Sequence, residues 1–426
     1  MTSKYIKETL KYILRCKLFL LPYLKEIESL YKLPPKELKK RNEKVFLELF
    51  RYAYTNSPFY NQLYKKAGIQ LDDIQKIDDI KKLPIITKDM IREHPEELLT
   101  CAKWRMIKSH TSGTTGTPLN VYLSWSTIWK WQAYLYYYRE KCGFKYGEPL
   151  VSLRGNLNRK NKHMLIHISN TLYLSSYYVN ENTVEDYWQR IQRHRPKAIE
   201  GFPSTLYDLS LQLKEKRLKC NIPLCFTSSE TLYDYQRDLI EDVLGTQIYD
   251  HYGMTERTIS LSENFDHKGY FEQPGFSINE YFEEGAITTS LINSSFPLIR
   301  YKTNDIFEYS KNDKTENIVI KRIKGRDNQY IIGKDGTKYS GGLTYIVRAL
   351  KNIKNAQLIQ YEKGKLIFNI VTDDEIGPQQ LKEINRYIDE RIGIKNMDIT
   401  INKIDESQLI YTNGHKFNFI VSYINS

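Results

Sequence analysis

His110-Thr111-Ser112-Gly113-Thr114-Thr115-Gly116-Thr117-Pro118 runs straight into a short apolar stretch, Leu119-Asn120-Val121-Tyr122-Leu123. Gly113 and Gly116 allow positive φ and close approach of a ligand to the backbone. Successive N–H groups in such a loop form a concave anion site, and the hydroxyls of Thr111, Ser112, Thr114 and Thr115 add donors. It is not a Walker A loop, because no Gly-Lys-Ser/Thr follows. A hydroxyl- and glycine-rich run standing alone is an ordinary surface loop, so its meaning depends on its surroundings.

Downstream of this loop the chain alternates. Asn120–Leu123 has strand character and precedes an aromatic helix over Ile128–Tyr138. Strands are expected at Leu150–Leu153, Ala198–Glu200, Cys225–Ser228 and Gln247–Asp250, with helices at Val184–His194, Thr205–Glu215 and Tyr233–Leu244. Alternation of this kind predicts an α/β fold with mostly parallel sheets covered by helices. Ligands of such folds bind beyond the carboxyl ends of the strands, which is where 111–118, Ser228-Ser229-Glu230 and Asp250–Glu256 fall.

The pattern changes after Gly325. A helix over Leu343–Leu350, strands Ala356–Tyr361 and Lys365–Thr372, a helix Pro378–Ile392 and a strand Asp398–Ile404 read as a small α+β unit. The expected division is a helical region at 1–105, a core at 106–325 and a small C-terminal domain at 326–426.

The 426 residues, 41% apolar, suffice for a large core and more than one domain. No stretch reaches the ~20 apolar residues of a membrane span, and the N-terminus lacks signal-peptide form. Five scattered cysteines suit reduced thiols in a cytoplasmic protein. Cys220 and Cys225 have no matching pair, so structural zinc is not expected.

The formal net charge is +12. Lysine is spread along the chain among acidic residues, with no nucleic-acid-binding signature, so nucleic acid is not expected as a partner. The charge favours anionic substrates or an anionic membrane surface. Tyr5-Ile6, Leu10, Ile13-Leu14 and Leu18 recur at helical spacing among lysines. Such a stripe is expected to pack on its own protein; its other reading is peripheral membrane association.

Four further segments stand in order behind the first loop: Asp250-His251-Tyr252-Gly253-Met254-Thr255-Glu256, Tyr301-Lys302-Thr303-Asn304-Asp305, Lys324-Gly325-Arg326-Asp327-Asn328-Gln329 and Gly414-His415-Lys416-Phe417. Each alone has a plain structural reading: Tyr252 as a core aromatic, Glu256 as a helix-dipole partner, Asp305 as a turn residue, Lys416 as a solvated lysine near a chain end. Their occurrence together and in order is the informative observation.

The set resembles the adenylate-forming enzymes, which include acyl-CoA synthetases, peptide-synthetase adenylation domains and luciferase. It is most similar to the branch of phenylacetate–CoA ligases and the capsular polysaccharide proteins called CapK. Ala53–Tyr64 and Asp78–Arg92 also look like that branch's entry region. The resemblance implies that Thr111–Gly116 wrap the phosphates of ATP and that Ser229 and Glu230 line the adenine site. It implies that Tyr252, with Gly253 and Thr255, lies against the nucleotide, that Glu256 holds Mg²⁺, and that Asp305 accepts from the ribose hydroxyls. Arg326 is expected at the nucleotide beside a pivot at Asp327 or Asn328. Lys416 is the expected catalytic lysine, offsetting charge as a carboxylate attacks the α-phosphorus. His251 flanks the site as a base or a polar lining.

Two positions depart from the family pattern: Thr117 where lysine is frequent, and Asn304 where glycine is usual. No cysteines follow Glu256, so the zinc of some relatives is not expected. The resemblance implies an acid-activating ligase using ATP and Mg²⁺, with coenzyme A, a carrier protein or a sugar amine as acyl acceptor. Adenylyl transfer to a non-carboxylate acceptor, or a nucleotide-binding protein with a decayed site, are the alternatives. Trp129, Tyr134, Tyr137, Phe202, Ser204, Tyr249 and His251 are the candidate acid-pocket residues.

Overall fold

The computed structural model describes residues 3–14, 17–110, 119–154, 162–230, 232, 234–283, 285–303, 305–311, 318–326, 331–339, 353–372, 374–393, 395–412, 416–417 and 419–424. Four helices open the chain, Ser3–Leu14, Lys17–Lys32, Pro35–Asn56 and Pro58–Lys66. Pro35 and Pro58 stand in first turns, where the missing N–H costs nothing. Phe46, Phe50, Tyr60 and Tyr64 from these helices form a core with Val121, Leu298 and Tyr301. The entry helices are thereby fixed to the strands that lead into the site.

β1 (Ile107–His110) and β2 (Asn120–Leu123) form an antiparallel hairpin on either side of the glycine-rich loop. Helix Trp125–Lys141 follows, starting earlier than its aromatic pattern because Ser124 Oγ accepts the Thr127 N–H at 3.2 Å.

The large sheet contains β3 (Leu150–Arg154), β4 (His163–Ile166), β5 (Thr171–Ser175), β6 (Ala198–Gly201), β7 (Leu224–Ser228), β8 (Gln247–Gly253), β9 (Ser260–Glu263) and β10 (Tyr270–Glu272). β11 (Ser277–Phe282), β12 (Gly285–Ser290) and β13 (Tyr301–Lys302) make a separate three-stranded sheet, and β14 (Asp305–Lys311) with β15 (Ile318–Arg326) rejoins the large one. The order is β14-β15-β10-β9-β8-β7-β6-β3-β5-β4. Helices Val184–His194, Pro203–Glu215 and Asp234–Leu244 cover it.

The α/β class is present, but this sheet is mixed rather than mostly parallel. β5, β3, β6, β7 and β8 run parallel; β4 and the β9, β10, β14 and β15 flank pair antiparallel. The physical reason is connection length. β9 turns into β10 through a short loop closed by the Asn264 N–H to Gly269 carbonyl bond, and so short a link reverses the chain.

Towards the C-terminus come β16 (Ile331–Ile332), β17 (Lys338–Tyr339), β18 (Ile353–Gln360), β19 (Lys365–Thr372), helix Pro378–Ile392, β20 (Asp398–Lys403), β21 (Tyr411–Thr412), β22 (Lys416–Phe417) and β23 (Ile420–Ser422). A four-stranded sheet β20-β19-β18-β23 packs Leu358, Phe368 and Ile370 against Ile384, Ile388 and Ile392. The helix expected at Leu343–Leu350 lies outside the described residues.

The N-terminal stripe departs from expectation. Ile6, Leu10, Ile13, Leu14 and Leu18 are exposed rather than packed on the protein. The opposite side of the same helices makes the contacts: Tyr12 stacks on Tyr146, and Leu20 and Ile27 are buried against helix Trp125–Lys141.

Candidate functional site

The parallel strands end in step: Gly201 lies beside Thr227, and Ser228 beside His251. Chain leaving β7 turns sharply at Ser229, in the left-handed region at φ 73°, followed by half-buried Glu230. Chain leaving β8 presents His251, Tyr252 and Gly253 and turns through Thr255 and Glu256. Glu256 sits in a turn, not at a helix start. Gly253 has a steric reason: a Cβ there would meet His251 Cε1 at 3.0 Å.

Two distant segments interlock at this edge. Tyr252 Oη donates to Asp305 Oδ2 at 2.6 Å, and Tyr301 Oη donates to Glu256 Oε1 at 3.1 Å. Each segment gives its tyrosine to the other's carboxylate. Asp305 lies opposite Arg326 across the β14–β15 pair, so the third motif arrives at the same place by register. Tyr301 and Glu256 are buried, while Tyr252 is half-buried with its ring edge-on to Phe307.

The 301–305 segment is held from behind by Arg300. Its guanidinium donates to both Glu280 oxygens at 2.9 and 3.0 Å, and to the carbonyls of Lys81 and Leu83 at 3.0 and 2.7 Å.

His251 hydrogen bonds Ser260 Oγ at 3.0 Å. Burial, reinforced by the positive charges of Arg139 and Arg257, pushes its pKa down to about 3. The imidazole is therefore neutral at physiological pH, a weak base suited to hydrogen bonding.

At this level of sequence identity the neighbours among solved structures speak to the fold. A 2-hydroxyisobutyryl-CoA ligase in the postadenylation state, in complex with R3-HIB-AMP, superposes with TM-score 0.60 at 15% identity, covering 92% of this chain and 90% of that one. Among curated proteins, Protein CapK of Staphylococcus aureus is 26% identical over 370 residues, 82% of each chain. Phenylacetate-coenzyme A ligase of Escherichia coli K12 is 22% identical over 405 residues, 87% of this chain and 86% of its own. Over most of its length the chain is thus similar to adenylate-forming, AMP-forming ligases, in the phenylacetate–CoA ligase and CapK branch. No protein-family model matches it.

The structure brings together Ser229, His251, Tyr252, Gly253, Thr255, Glu256 and Asp305 with the backbone of Arg326. Thr111–Gly116, Thr117, Asn304 and the pivot candidates Asp327 and Asn328 lie outside the described residues. Lys416 contributes its backbone to β22, opposite Thr412; its side chain is outside the described set.

Glu256 offers the hard carboxylate oxygen that Mg²⁺ prefers. One protein carboxylate is enough where phosphate oxygens and waters complete an octahedron, so the donor chemistry fits a cation shared with ATP.

The aromatic acid-pocket candidates do not form one wall. Trp129, Tyr134 and Tyr137 pack with Leu20, Ile27 and Phe276, whereas Tyr249 packs with Tyr138, Phe144 and Phe226. Tyr134, Tyr137 and Tyr249 are buried in these clusters, and Trp129 is half-buried beside them.

Sequence reading missed a buried polar group near His251. Arg139 pairs with Glu200 at 2.6 Å and lies over the Phe226 ring at 4.7 Å, while Ser152 donates to Glu200 at 2.9 Å. The available signals were an arginine inside an aromatic helix and a glutamate ending an apolar strand. A second network was also missed: Asp250 accepts from Thr227 at 2.5 Å and Tyr270 at 2.7 Å, and Glu263 accepts the Asp250 N–H at 2.8 Å and an Arg237 N–H. It braces β7, β8, β9 and β10 directly behind the site.

Proposed function

We propose that the protein activates a carboxylic acid with Mg-ATP, releasing pyrophosphate, and passes the acyl group from the acyl-adenylate to coenzyme A. The observation that carries this is the reciprocal exchange between Tyr252–Asp305 and Tyr301–Glu256. It ties two carboxylates into one region, which supports reading Asp305 as the acceptor for the ribose hydroxyls and Glu256 as the ligand of a phosphate-bound cation. A carboxylate accepts two donors at once, which suits the ribose diol.

In this reading Thr111–Gly116 hold the phosphates, Ser229 and Glu230 border the adenine, and Tyr252 lies against the base. Glu256 would hold Mg²⁺, which when bound would supply neutralisation of the phosphate charge. Lys416 compensates the charge that builds as the acid attacks. Residues 326–426 form the unit that moves between adenylation and acyl transfer, pivoting next to Arg326. Neutral His251, with the Arg139–Glu200 pair behind it, borders the acid. The reaction belongs in the cytoplasm, where ATP is supplied and free thiols such as Cys142 and Cys225 stay reduced. The CapK relative supports a place in surface-polysaccharide assembly, with a sugar amine or a carrier as the other acceptors.

The test is Mg-ATP-dependent pyrophosphate release across aryl, fatty, hydroxy and amino acids, followed by thioester formation on adding coenzyme A. Release with one acid class, lost in Asp305→Ala and Lys416→Ala, is the expected result. ATP binding with no release for any acid would point to a nucleotide-binding protein. Release without a hydroxylamine-trappable acyl group would point to adenylyl transfer.

A further inference from the structure

Seven of the seventeen large apolar side chains exposed among the described residues fall between positions 6 and 21: Ile6, Leu10, Ile13, Leu14, Leu18, Phe19 and Leu21, each 39–70% exposed. Scattered exposed apolar residues need no explanation, but a contiguous set marks an interaction surface. At about 100° per residue, Ile6, Leu10, Ile13 and Leu14 share one arc of helix Ser3–Leu14.

The opposite arc faces the protein. Glu8 is buried, Tyr12 stacks on Tyr146 at 5.6 Å, and the Trp129 indole N–H donates to the Leu14 carbonyl at 2.7 Å. In helix Lys17–Lys32, Leu20 and Ile27 are buried while Leu18 and Leu21 are not. The helices are anchored on one side, and the outward placement of the stripe follows from that anchoring. The surface continues on the body: helix Ser3–Leu14 rests against the 167–169 turn, whose Ile168 is also exposed.

We propose that residues 3–21 dock this protein on an anionic lipid bilayer. The sequence of that stretch carries Lys4, Lys7, Lys11, Arg15 and Lys17, and Glu8 as its one acid. An apolar arc within a basic helix is the composition of helices that lie in the plane of a bilayer, apolar face among the acyl chains and cations at the headgroups. The same charges oppose the alternative occupant, a second copy, because a symmetric contact sets basic segment against basic segment. Phe19 stacks on Trp129 at 5.2 Å and Trp129 on Trp125 at 5.6 Å. The two half-buried indoles place amphipathic rings, of the kind enriched at membrane–water boundaries, beside the stripe.

The experiment is flotation of the full chain with two vesicle types, pure phosphatidylcholine and phosphatidylcholine with roughly one-third phosphatidylglycerol. Binding is expected on the anionic vesicles, weakened roughly tenfold or more on neutral vesicles and at high salt. Leu10→Ser with Leu18→Ser, and separately Lys7→Glu with Lys11→Glu, are expected to lose it while retaining the wild-type thermal transition. A wild type that floats with neither vesicle, or equally with both, overturns the proposal. So does a wild-type dimer in sedimentation velocity that Leu10→Ser with Leu18→Ser turns into a monomer, because a second copy then covers the stripe. Should a variant fail to fold, the wild-type comparison between vesicle types and salt concentrations still decides.

Discussion

The hydroxyl of Tyr252 reaches the carboxylate of Asp305 at 2.6 Å, although β8 and β14 stand four places apart in the strand order. Four spacings of about 4.8 Å would put flat strands about 19 Å apart, well beyond a tyrosine side chain. The sheet must therefore curl back on itself, and the apolar cluster of Ile259, Leu261, Tyr281, Phe307 and Ile320 fills the curl. The bond ties its two margins. Tyr252→Phe keeps the ring and removes the donor. A hydrogen bond to a charged group contributes about 1.5 kcal/mol, so ATP affinity measured by calorimetry should fall by about tenfold. Asp305→Ala should lose more, having lost both the tie and the carboxylate proposed to accept from the ribose. Wild-type affinity in Tyr252→Phe would mean that the curl holds Asp305 without it.

The Tyr301–Glu256 bond makes a separable prediction. Tyr301→Phe frees one Glu256 oxygen from its donor at 3.1 Å but leaves the carboxylate able to bind a cation. Glu256→Gln removes the charge itself. Pyrophosphate release titrated with Mg²⁺ should show a modest shift in Mg²⁺ requirement for Tyr301→Phe. For Glu256→Gln the maximal rate should fall by roughly 10² at saturating Mg²⁺. Equal behaviour of the two variants would assign Glu256 to packing rather than to the metal.

Half-buried His251 at the site and buried Glu263 behind it oppose each other in pH dependence. His251 is held down to about 3, so the unfolded chain binds a proton there, near pH 6.5, that the native state refuses. Its contribution to stability is lost as pH falls below about 6.5. Glu263 is pushed up to about 7 by burial, against the pull of Arg237. Here the native state keeps a proton that the unfolded chain releases near 4.3, and stability falls as pH rises from there towards 7. Between about pH 4.5 and 6.5 the two slopes cancel in part. Glu263→Gln should leave a decline on acidification, and His251→Asn a decline on raising the pH. Each is on the order of 1–3 kcal/mol across its window. Urea denaturation through that range checks this, and parallel profiles for all three proteins would refute it.

What the sequence disclosed and what it hid divide along physical lines. Helices Val184–His194 and Pro378–Ile392 and strands Asn120–Leu123 and Lys365–Thr372 stand where periodicity put them, because each has one apolar face and clear terminal signals. Tyr252, Glu256 and Asp305 were legible as members of ordered motifs. The antiparallel half of the large sheet was not, since strand pairing depends on partners far away in the chain. Nor were Arg139–Glu200 and the Asp250–Glu263 network, whose members look like ordinary charges until burial pairs them. The N-terminal stripe shows the same limit from the other side. Spacing revealed the apolar arc, but only packing shows that Tyr12 and Leu20, not Leu10 and Leu18, face the protein.

Arg300 is a structural test of how the 301–305 segment is held. Its φ of 53° lies in the left-handed region, and its buried guanidinium bridges Glu280 to the carbonyls of Lys81 and Leu83. Lysine cannot form the two-pronged contact. Arg300→Lys should cost about 1–3 kcal/mol, and Arg300→Ala, which leaves half-buried Glu280 without its partner, about 3–5 kcal/mol. Denaturant midpoints give the order. If Arg300→Lys keeps wild-type stability but loses ATP affinity, the arginine positions Asp305 without supporting the fold.

Lys416 provides the sharpest separation of binding from chemistry. Its strand position opposite Thr412 depends on the backbone, so Lys416→Ala should leave the β21–β22 pairing and the thermal transition unchanged. In the proposed function only the transition state for acyl-adenylate formation needs the ammonium, so pyrophosphate release should fall by about 10²–10³ while ATP affinity stays within about threefold. Supplied with preformed acyl-adenylate, the variant should transfer the acyl group to coenzyme A at near wild-type rate if, as proposed, that half-reaction takes place with the lysine withdrawn. Lys416→Arg, which keeps the charge in a different shape, should fall between the two. A variant equally impaired in both half-reactions would mean that Lys416 holds the C-terminal region in place, and the catalytic assignment would have to move to another cation.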